Sequence, residues 1–242
     1  MEHYRKTVIV TGASKGIGAG IVKAFLARGY NVVGTARSAT KSKQLSVCDQ
    51  LALIDGDIGE FETAQKIAGL AIKKFGSIDA VVANAGIFLM KPFTEYTAED
   101  FRALVSINLA GFIFITQLAV KQMQAQKTGG SIVSITAALV DNPIAGEPAS
   151  LSMITKGGLN AGLRGLALEY AKEHIRFNAV APGIVATSLH TDNSKEYLES
   201  RSPMATVSTV EDIASAVVYL TEARQITGEV LHVDGGAHVG KW

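Results

Sequence analysis

The sequence predicts an α/β fold: a doubly wound, Rossmann-like parallel sheet of about seven strands with helices on both faces. Short Val- and Ile-rich runs alternate along the chain with longer segments of helical periodicity. The runs are continuously apolar, which is typical of parallel strands that helices cover on both sides. No linker, repeat or low-complexity segment interrupts this pattern, so a single domain is predicted over residues 1–242.

The predicted strands are β-branched runs bounded by turn residues. They cover 7–12, 31–36, 51–57, 78–86, 129–136, 175–183 and 228–236. Right-handed crossovers between successive parallel strands place helices on alternate faces of the sheet.

The predicted helices have apolar residues spaced near 3.6 and recognisable ends. They cover 17–29, 60–76, 98–126 and 152–173. Gly29 and Gly76 end the first two, and Thr97 caps the third, with Glu99 and Asp100 in its first turn. The least ordered segments are predicted to be 38–50 and 188–208, the second being a substrate loop.

Composition argues against several functional classes. The formal net charge of +1 predicts no nucleic-acid partner and no anionic membrane surface. The only cysteine, Cys48, precludes an internal disulfide and favours a cytoplasmic location. Five histidines lack ligand spacing, so no metal site is predicted. The longest apolar stretch, 108–120, is shorter than the roughly 20 residues that cross a bilayer and is interpreted as a buried helix.

A glycine-rich turn, "TGASKGIG" (11–18), joins the first strand to the first helix. Its glycines allow the backbone to turn tightly and to approach a ligand without Cβ atoms. The following helix presents free N–H groups to a pyrophosphate. The turn therefore predicts dinucleotide binding through Gly12, Ser14, Lys15, Gly16, Ile17 and Gly18.

The end of the second strand indicates which dinucleotide is preferred. An acidic residue there selects NAD, whereas a nearby arginine accommodates the extra phosphate of NADP. Here Ala36 holds the position of the acid and Arg37 follows, while Lys15 lies in the glycine turn. NADP(H) is the predicted cofactor, and NAD(H) is a possible one.

The ordered motifs resemble those of the single-domain short-chain dehydrogenases/reductases over essentially the whole length. They are "TGASKGIG", Asp57 after the third strand, "ANAG" (83–86), Asn108 in "SINLAG", Lys156, "PGIVAT" (182–187) and "DGG" (234–236). The resemblance implies the doubly wound fold, hydride transfer between a nicotinamide and a carbonyl or alcohol, and frequent tetramers.

The resemblance also implies further cofactor-binding positions. Asp57, followed by Ile58, would contact the adenine, and Asn84, Ala85 and Gly86 would form the wall behind the ribose. The nicotinamide carboxamide would be held by Pro182, Gly183, Ile184 and Thr187. The proline and glycine at 182–183 would also end the sixth strand at the sheet's carboxyl edge, where open α/β sheets bind ligands.

The expected proton donor of this family is absent. The resemblance implies a tyrosine four residues before the lysine, and here Ser152 precedes Lys156. A serine hydroxyl is shorter and far less acidic than a phenol, whose pKa is near ~10. The family's polarising serine corresponds to about Ala137, so Thr136 or Ser134 would have to supply that hydroxyl. The predicted catalytic set is therefore Asn108, Lys156, Ser152 and Thr136.

Two functions stay open at this stage. The first is an NADP(H)-dependent oxidoreductase acting on a small carbonyl or alcohol, with its proton arriving through water held by Asn108 and Lys156 or from His190. The second is a catalytically silent NADP(H)-binding protein that serves as a sensor or oligomer partner. The small residues of the helix at 152–173 predict close packing against another element. The resemblance implies that this element includes the same helix of a second subunit, so a homo-oligomer, tetramer or dimer, is expected in either case.

Overall fold

The computed structural model describes residues 5–187 and 194–240. The strands are β1 Thr7–Thr11, β2 Asn31–Ala36, β3 Leu51–Asp55, β4 Ala80–Ala83, β5 Gly130–Ile135, β6 Ile175–Pro182 and β7 Val230–Val233. The helices are α1 Gly16–Ala27, α2 Phe61–Phe75, α3 Ala98–Leu104, α4 Gly111–Gln126, α5 Ser150–Glu169, α6 Lys195–Glu199 and α7 Val210–Glu222.

The strands form one parallel sheet in the order β3-β2-β1-β4-β5-β6-β7. The strand order reverses between β1 and β4, which lie side by side in the middle. In open sheets of this kind a crevice forms outside the carboxyl ends of the strands at the reversal point. The predicted fold class is confirmed, and the glycine turn after β1 lies at this crevice.

Each face of the sheet is covered by its own apolar layer. Ile67 of α2, Ile115 of α4 and Leu163 of α5 belong to the core on one face. Phe25 of α1 and Ile213 of α7 belong to the core on the other. All five side chains are almost fully buried, and each contributes about 1.5–3 kcal/mol of transfer free energy. The two cores fix the sheet between its helices and so fix the position of its carboxyl edge.

The predicted long helix is helical from 98 to 126 but is not uniform. Its middle, Val105–Ala110, is a wider π-helical turn between α3 and α4. Such turns are frequent at functional sites, and this one contains Asn108. Periodicity cannot reveal it, because one wider turn barely changes the apolar spacing.

That same helix, Ala98–Gln126, is long and apolar enough to cross a membrane by length and composition alone. The apolar stretch 108–120 is itself too short for this, but the helix that contains it runs over 29 residues. Its inner side chains, Ile115 and Met123 among them, nevertheless pack in the core against the sheet. The interpretation as a core helix agrees with this packing.

The segment 38–50 is better anchored than predicted. Ala39–Lys41 forms a short 3₁₀ turn, and Ala39 is fully buried. Thr40 donates its N–H and its hydroxyl to the Asp55 carboxylate at 2.8 and 2.7 Å. These bonds lower the pKa of Asp55, the backbone N–H contributing most. The loop is therefore fixed to the end of β3 and crosses towards the glycine turn.

Helix α7 was missed, although its start is legible. Thr209 accepts the Asp212 N–H at 3.1 Å, and the Asp212 carboxylate accepts the Thr209 N–H at 2.7 Å. This reciprocal capping box follows the spacing that marks helix starts. The apolar residues Ile213 and Val217 then continue at helical spacing. This helix was not assigned from the sequence because it directly follows the segment 188–208, which was predicted to be poorly ordered.

We expect Thr209→Ala to lower the free energy of unfolding by about 1 kcal/mol, because the capping hydroxyl is lost. For a chain of this size that corresponds to a fall in Tm of about 2–4 °C. Thr209→Ser, which keeps a capping hydroxyl, should stay close to wild type. Equal melting temperatures for the two variants in a thermal unfolding series would contradict the assignment.

Candidate functional site

The glycine turn packs directly on the residues that follow β4. A Cβ at Gly18 would lie 2.1 Å from the Gly12 carbonyl oxygen, and one at Gly12 would lie 2.8 Å from Asn84 Nδ2. Gly12 also has a φ of +65°, which favours glycine. The Asn84 amide donates to the carbonyls of Thr11 and Gly12 at 2.9 and 3.2 Å. Asn84 thus fixes the turn, and the absence of Cβ atoms leaves its main chain accessible. These residues fit a phosphate-bearing ligand.

Helix α1 begins at this turn without a side-chain cap on Lys15. The Gly16 N–H instead donates to Gln44 Oε1, at 3.2 Å, from the anchored loop after β2. In the same loop, the Ser42 hydroxyl donates to the Ser14 carbonyl at 2.6 Å. A helix N-terminus attracts anions through its N–H groups and its partial positive charge. The start of α1 and the glycine turn, residues 12–18, therefore lie where an anion would meet these N–H groups, and the contacts predicted there stay predictions.

The ends of β2 and β3 carry the other predicted nucleotide contacts. Arg37 and Lys15 are exposed, and neither pairs with a carboxylate within the described residues. The Asp57 carboxylate accepts the Gly59 N–H at 2.9 Å and is exposed. Ile58 is buried in the core against Gly111, so its main chain is the part that could meet a ligand.

The segment after β6 closes the site on the other side. A Cβ at Gly183 would lie 2.8 Å from the Cβ of Asp234, so the chain there passes tightly against the "DGG" turn. Beyond Ile184, a bridge between Val185 and Ser208 holds the segment. The Thr187 methyl would lie 3.6 Å from a Cβ at Gly16. Residues 182–187 therefore face the glycine turn across the crevice.

Asn108, Gly86 and Lys156 come together beneath the crevice. The Asn108 side chain accepts the Ile87 N–H at 2.9 Å and donates to the Ile87 carbonyl at 3.0 Å. Its amide also donates to the Thr155 hydroxyl at 3.0 Å. A Cβ at Gly86 would lie 3.2 Å from Asn108 Oδ1 and 3.8 Å from Lys156 Nζ. Glycine at 86 is thus what lets these two polar groups share one space.

The Lys156 ammonium donates to the carbonyls of Ile135 and Thr136 at 3.2 and 2.9 Å. Desolvation lowers the pKa of Lys156 to about 8. A small cavity of about 10 Å³ adjoins the Lys156 side chain. A space of that size holds about one water. It is lined by Ala83, Ala85, Gly86, Asn108, Phe112, Ile135, Lys156 and Leu159.

The hydroxyls of Ser152 and Thr136 are directed away from this space. Ser152 is fully buried; its hydroxyl accepts the Leu89 N–H at 2.8 Å and donates to the Leu89 carbonyl at 2.9 Å. The Tyr96 hydroxyl donates to that same carbonyl at 2.7 Å. Thr136 is buried and its hydroxyl donates to the Val180 carbonyl at 3.4 Å. In this arrangement neither hydroxyl is open to a substrate.

The predicted substrate loop is only partly described. Leu189 and His190 lie outside the described residues. Tyr197 and Met204 are 48% and 68% exposed, so they face solvent more than a pocket. Within residues 5–187 and 194–240, no group of three His, Cys, Asp or Glu side chains is placed to hold a metal ion.

Some residues that build the site were not singled out from the sequence. The Thr11 hydroxyl accepts the N–H groups of Asn84 and Ala85 at 3.1 and 2.9 Å. Thr155 accepts from Asn108, and Gln44 reaches the glycine turn. A threonine at a strand end next to the glycine turn is a readable signal for Thr11. No sequence signal identifies Gln44, because its contact with Gly16 depends on the path that the loop after β2 takes back to the glycine turn.

Comparison with known proteins extends this geometry. A family model described as Enoyl-(Acyl carrier protein) reductase matches residues 12–238. L-rhamnose 1-dehydrogenase (NAD(P)(+)) of Sphingomonas sp. (strain SKA58) is 32% identical over 249 residues, covering 97% of this chain and 96% of that protein. The solved structure of ElxO with NADP bound has a TM-score of 0.89 and 32% identity, covering 98% of this chain and 100% of that chain.

A third likeness is to the aldohexose dehydrogenase AldT of Thermoplasma acidophilum in ligand-free form. Its TM-score is 0.87 with 27% identity, over 98% of this chain and 95% of that chain. The fold, the ordered motifs and these matches agree. The chain belongs to the short-chain dehydrogenase/reductase family, and its named relatives include dehydrogenases and reductases.

We expect Ser152→Ala to destabilise the protein by about 1–3 kcal/mol, because it leaves the part-buried Leu89 N–H without its acceptor, while the Leu89 carbonyl keeps only the Tyr96 hydroxyl. Ser150→Ala, at the exposed first residue of α5, is the matched control and should change stability little. Denaturant unfolding measures both. A Ser152→Ala variant as stable as the control would show that the Leu89 contact is dispensable.

Proposed function

We propose that the chain is an NADP(H)-dependent oxidoreductase that moves a hydride between the nicotinamide and a small carbonyl or alcohol, with a proton route that does not use a tyrosine. The observation that carries the proposal is the position of Lys156. Its ammonium lies beside Gly86 and Asn108, rests on two carbonyls and has its pKa lowered to about 8. A group that titrates near neutral pH in a crevice is suited to general acid–base work.

The residues that would hold the dinucleotide follow from the charges and the bare main chain. The glycine turn and the start of α1 would take the pyrophosphate. Arg37 and Lys15, two exposed cations without a carboxylate partner in the described chain, would favour the extra phosphate of NADP(H). The bound nicotinamide would supply the hydride chemistry itself. This preference is supported by ElxO, whose solved structure carries NADP.

The proton route proposed here uses Lys156 and Asn108. The only hydroxyl proton of Ser152 is donated to the Leu89 carbonyl, which supports the view that the usual tyrosine position has lost its acid role. In carbonyl reduction, the protonated amine of Lys156 would release a proton to the substrate oxygen through a water in the adjoining cavity. Asn108 would orient that water. In alcohol oxidation the neutral amine would take the proton back.

The substrate class is proposed from the relatives. Two of the most similar proteins are named for sugar oxidation, an L-rhamnose 1-dehydrogenase and an aldohexose dehydrogenase, and a third is an L-xylulose reductase. We propose a sugar or a comparably small polyol as the substrate. Its carbonyl or hydroxyl carbon would face the nicotinamide between residues 86–90 and 182–187.

A silent NADP(H)-binding protein is the second candidate. The specific observation in its favour is again Ser152, which is buried and fully bonded and therefore serves packing. Binding of the cofactor is common to both candidates. Turnover of cofactor with a substrate separates them.

We also propose a homo-oligomer, a tetramer or dimer, in the cytoplasm. Ile113 of α4 and Ile154 and Leu168 of α5 are 43%, 59% and 83% exposed. Large apolar side chains that stay exposed on neighbouring helices favour burial against another subunit. The exposed Cys48 suits a reducing compartment.

We expect Arg37→Ala to weaken NADPH binding roughly tenfold, which is about 1.4 kcal/mol, while NADH binding stays unchanged. The reason is that only NADPH carries the extra phosphate on its adenosine ribose. Titration calorimetry with both nucleotides measures the effect, and Arg5→Ala, far from the crevice, is the control. Equal losses for NADPH and NADH would remove the basis for the cofactor preference.

We expect wild type to reduce NADP⁺ with L-rhamnose or D-glucose, or to oxidise NADPH with L-xylulose, and Lys156→Met to lose at least about a hundredfold in rate. Because the pKa of Lys156 is lowered to about 8, reduction of the carbonyl should fall above that pH, where the donor proton is lost. Alcohol oxidation should rise towards the same pH as the base forms.

Stopped-flow single-turnover rates between pH 6 and 10 test both slopes. Rapid turnover that Lys156→Met leaves intact would reject the site. Nucleotide binding without any turnover across the panel would instead favour the silent candidate.

A further inference from the structure

The loop after β2 reaches the position where the pyrophosphate of the proposed cofactor is expected. Gln44 Oε1 accepts the Gly16 N–H at 3.2 Å, which is the first amide of α1. The Ser42 hydroxyl braces this contact by donating to the Ser14 carbonyl at 2.6 Å and accepting the Gln44 N–H at 3.2 Å. The segment 42–44 therefore lies across the glycine turn.

We propose that Gln44 is a built-in competitor of the nucleotide phosphates: its carboxamide oxygen caps α1 in the free protein, and the cofactor displaces it. The inference rests on the proposed dinucleotide-binding function. A side-chain oxygen on an N-terminal amide uses the same donor and the same partial charge that an anion would use. Both cannot occupy the Gly16 N–H in full.

Only the Gln44 side chain has to move for the Gly16 N–H to become free. Near the start of the loop, Thr40 is held twice by Asp55, and Ala39 is fully buried. The Gln44 contact is exposed and is longer than either of the Thr40 bonds. The Gln44 side chain can therefore leave the Gly16 N–H while Ser42 and Thr40 keep their hydrogen bonds. The competitor is tethered beside its target at all times.

This arrangement makes a distinctive prediction about binding. Competition at Gly16 concerns the pyrophosphate, which NADPH and NADH share, so changes at Gln44 should affect both nucleotides equally. Changes at Arg37 should affect only NADPH. The ratio of the two dissociation constants thus separates competition at the pyrophosphate from recognition of the extra ribose phosphate of NADPH.

The test compares Gln44→Ala and Gln44→Glu with the same substitutions at Gln50. The Gln50 side chain forms no hydrogen bond within residues 5–187 and 194–240. We expect Gln44→Ala to bind NADPH and NADH about two- to fivefold more tightly, because a competing neutral hydrogen bond is gone. Gln44→Glu should bind both at least about fivefold more weakly, since a carboxylate caps the helix more strongly and repels the phosphates. The Gln50 variants should change neither constant by as much.

Hydrogen exchange provides a readout that is independent of activity. The Gly16 amide should exchange faster in free Gln44→Ala than in free wild type, and saturating NADPH should remove the difference. Weaker or unchanged nucleotide binding in Gln44→Ala would overturn the inference, because Gln44 would then assist the ligand or ignore it. If wild type and both variants bind no nucleotide at all, it is the proposed function that fails.

Discussion

The contact between the glycine turn and the end of β4 is the constraint on which the site depends. Gly18 approaches the Gly12 carbonyl so closely that a Cβ would lie 2.1 Å from it, and Asn84 bonds the carbonyls of Thr11 and Gly12. Parallel pairing of β1 with β4 brings these segments together at the point where the strand order reverses. This junction places the N–H groups of the glycine turn at the crevice, where Thr187 approaches Gly16 from the other side.

A division of labour between side chains is visible around the crevice. Asn84, Thr11 and Ser152 have their polar groups engaged with protein backbone, so they fix the positions of loops. Lys156 and Asn108 are also bonded, but they border a small cavity and are its two polar side chains. The chemical burden of the proposed reaction therefore falls on two groups that the scaffold orients rather than on an exposed nucleophile or acid.

Much of the fold could be predicted from the sequence, because the patterns that mark its strands and turns are local. Continuous apolar runs predicted each strand within a few residues, and the glycine spacing predicted the turn after β1. The less legible features depend on tertiary contacts. The π-helical turn around Asn108 alters the helix without altering its apolar spacing, and the return of Gln44 to Gly16 follows from where Thr40 is anchored. For Ser152 the sequence indicated an absent phenol, but only the fold shows that Leu89 takes up its hydroxyl.

The hydrogen bonds that hold Leu89 have a consequence for engineering at residue 152. Three hydrogen bonds from Ser152 and Tyr96 converge on the main chain of one residue, and the space around residue 152 is closed. A bulky aromatic ring cannot be grafted there alone, since the strap from Gly86 to Thr97 would have to be rebuilt with it. Residue 152 and that strap therefore form a single packing unit, in which the size of one side chain depends on the path of the neighbouring main chain.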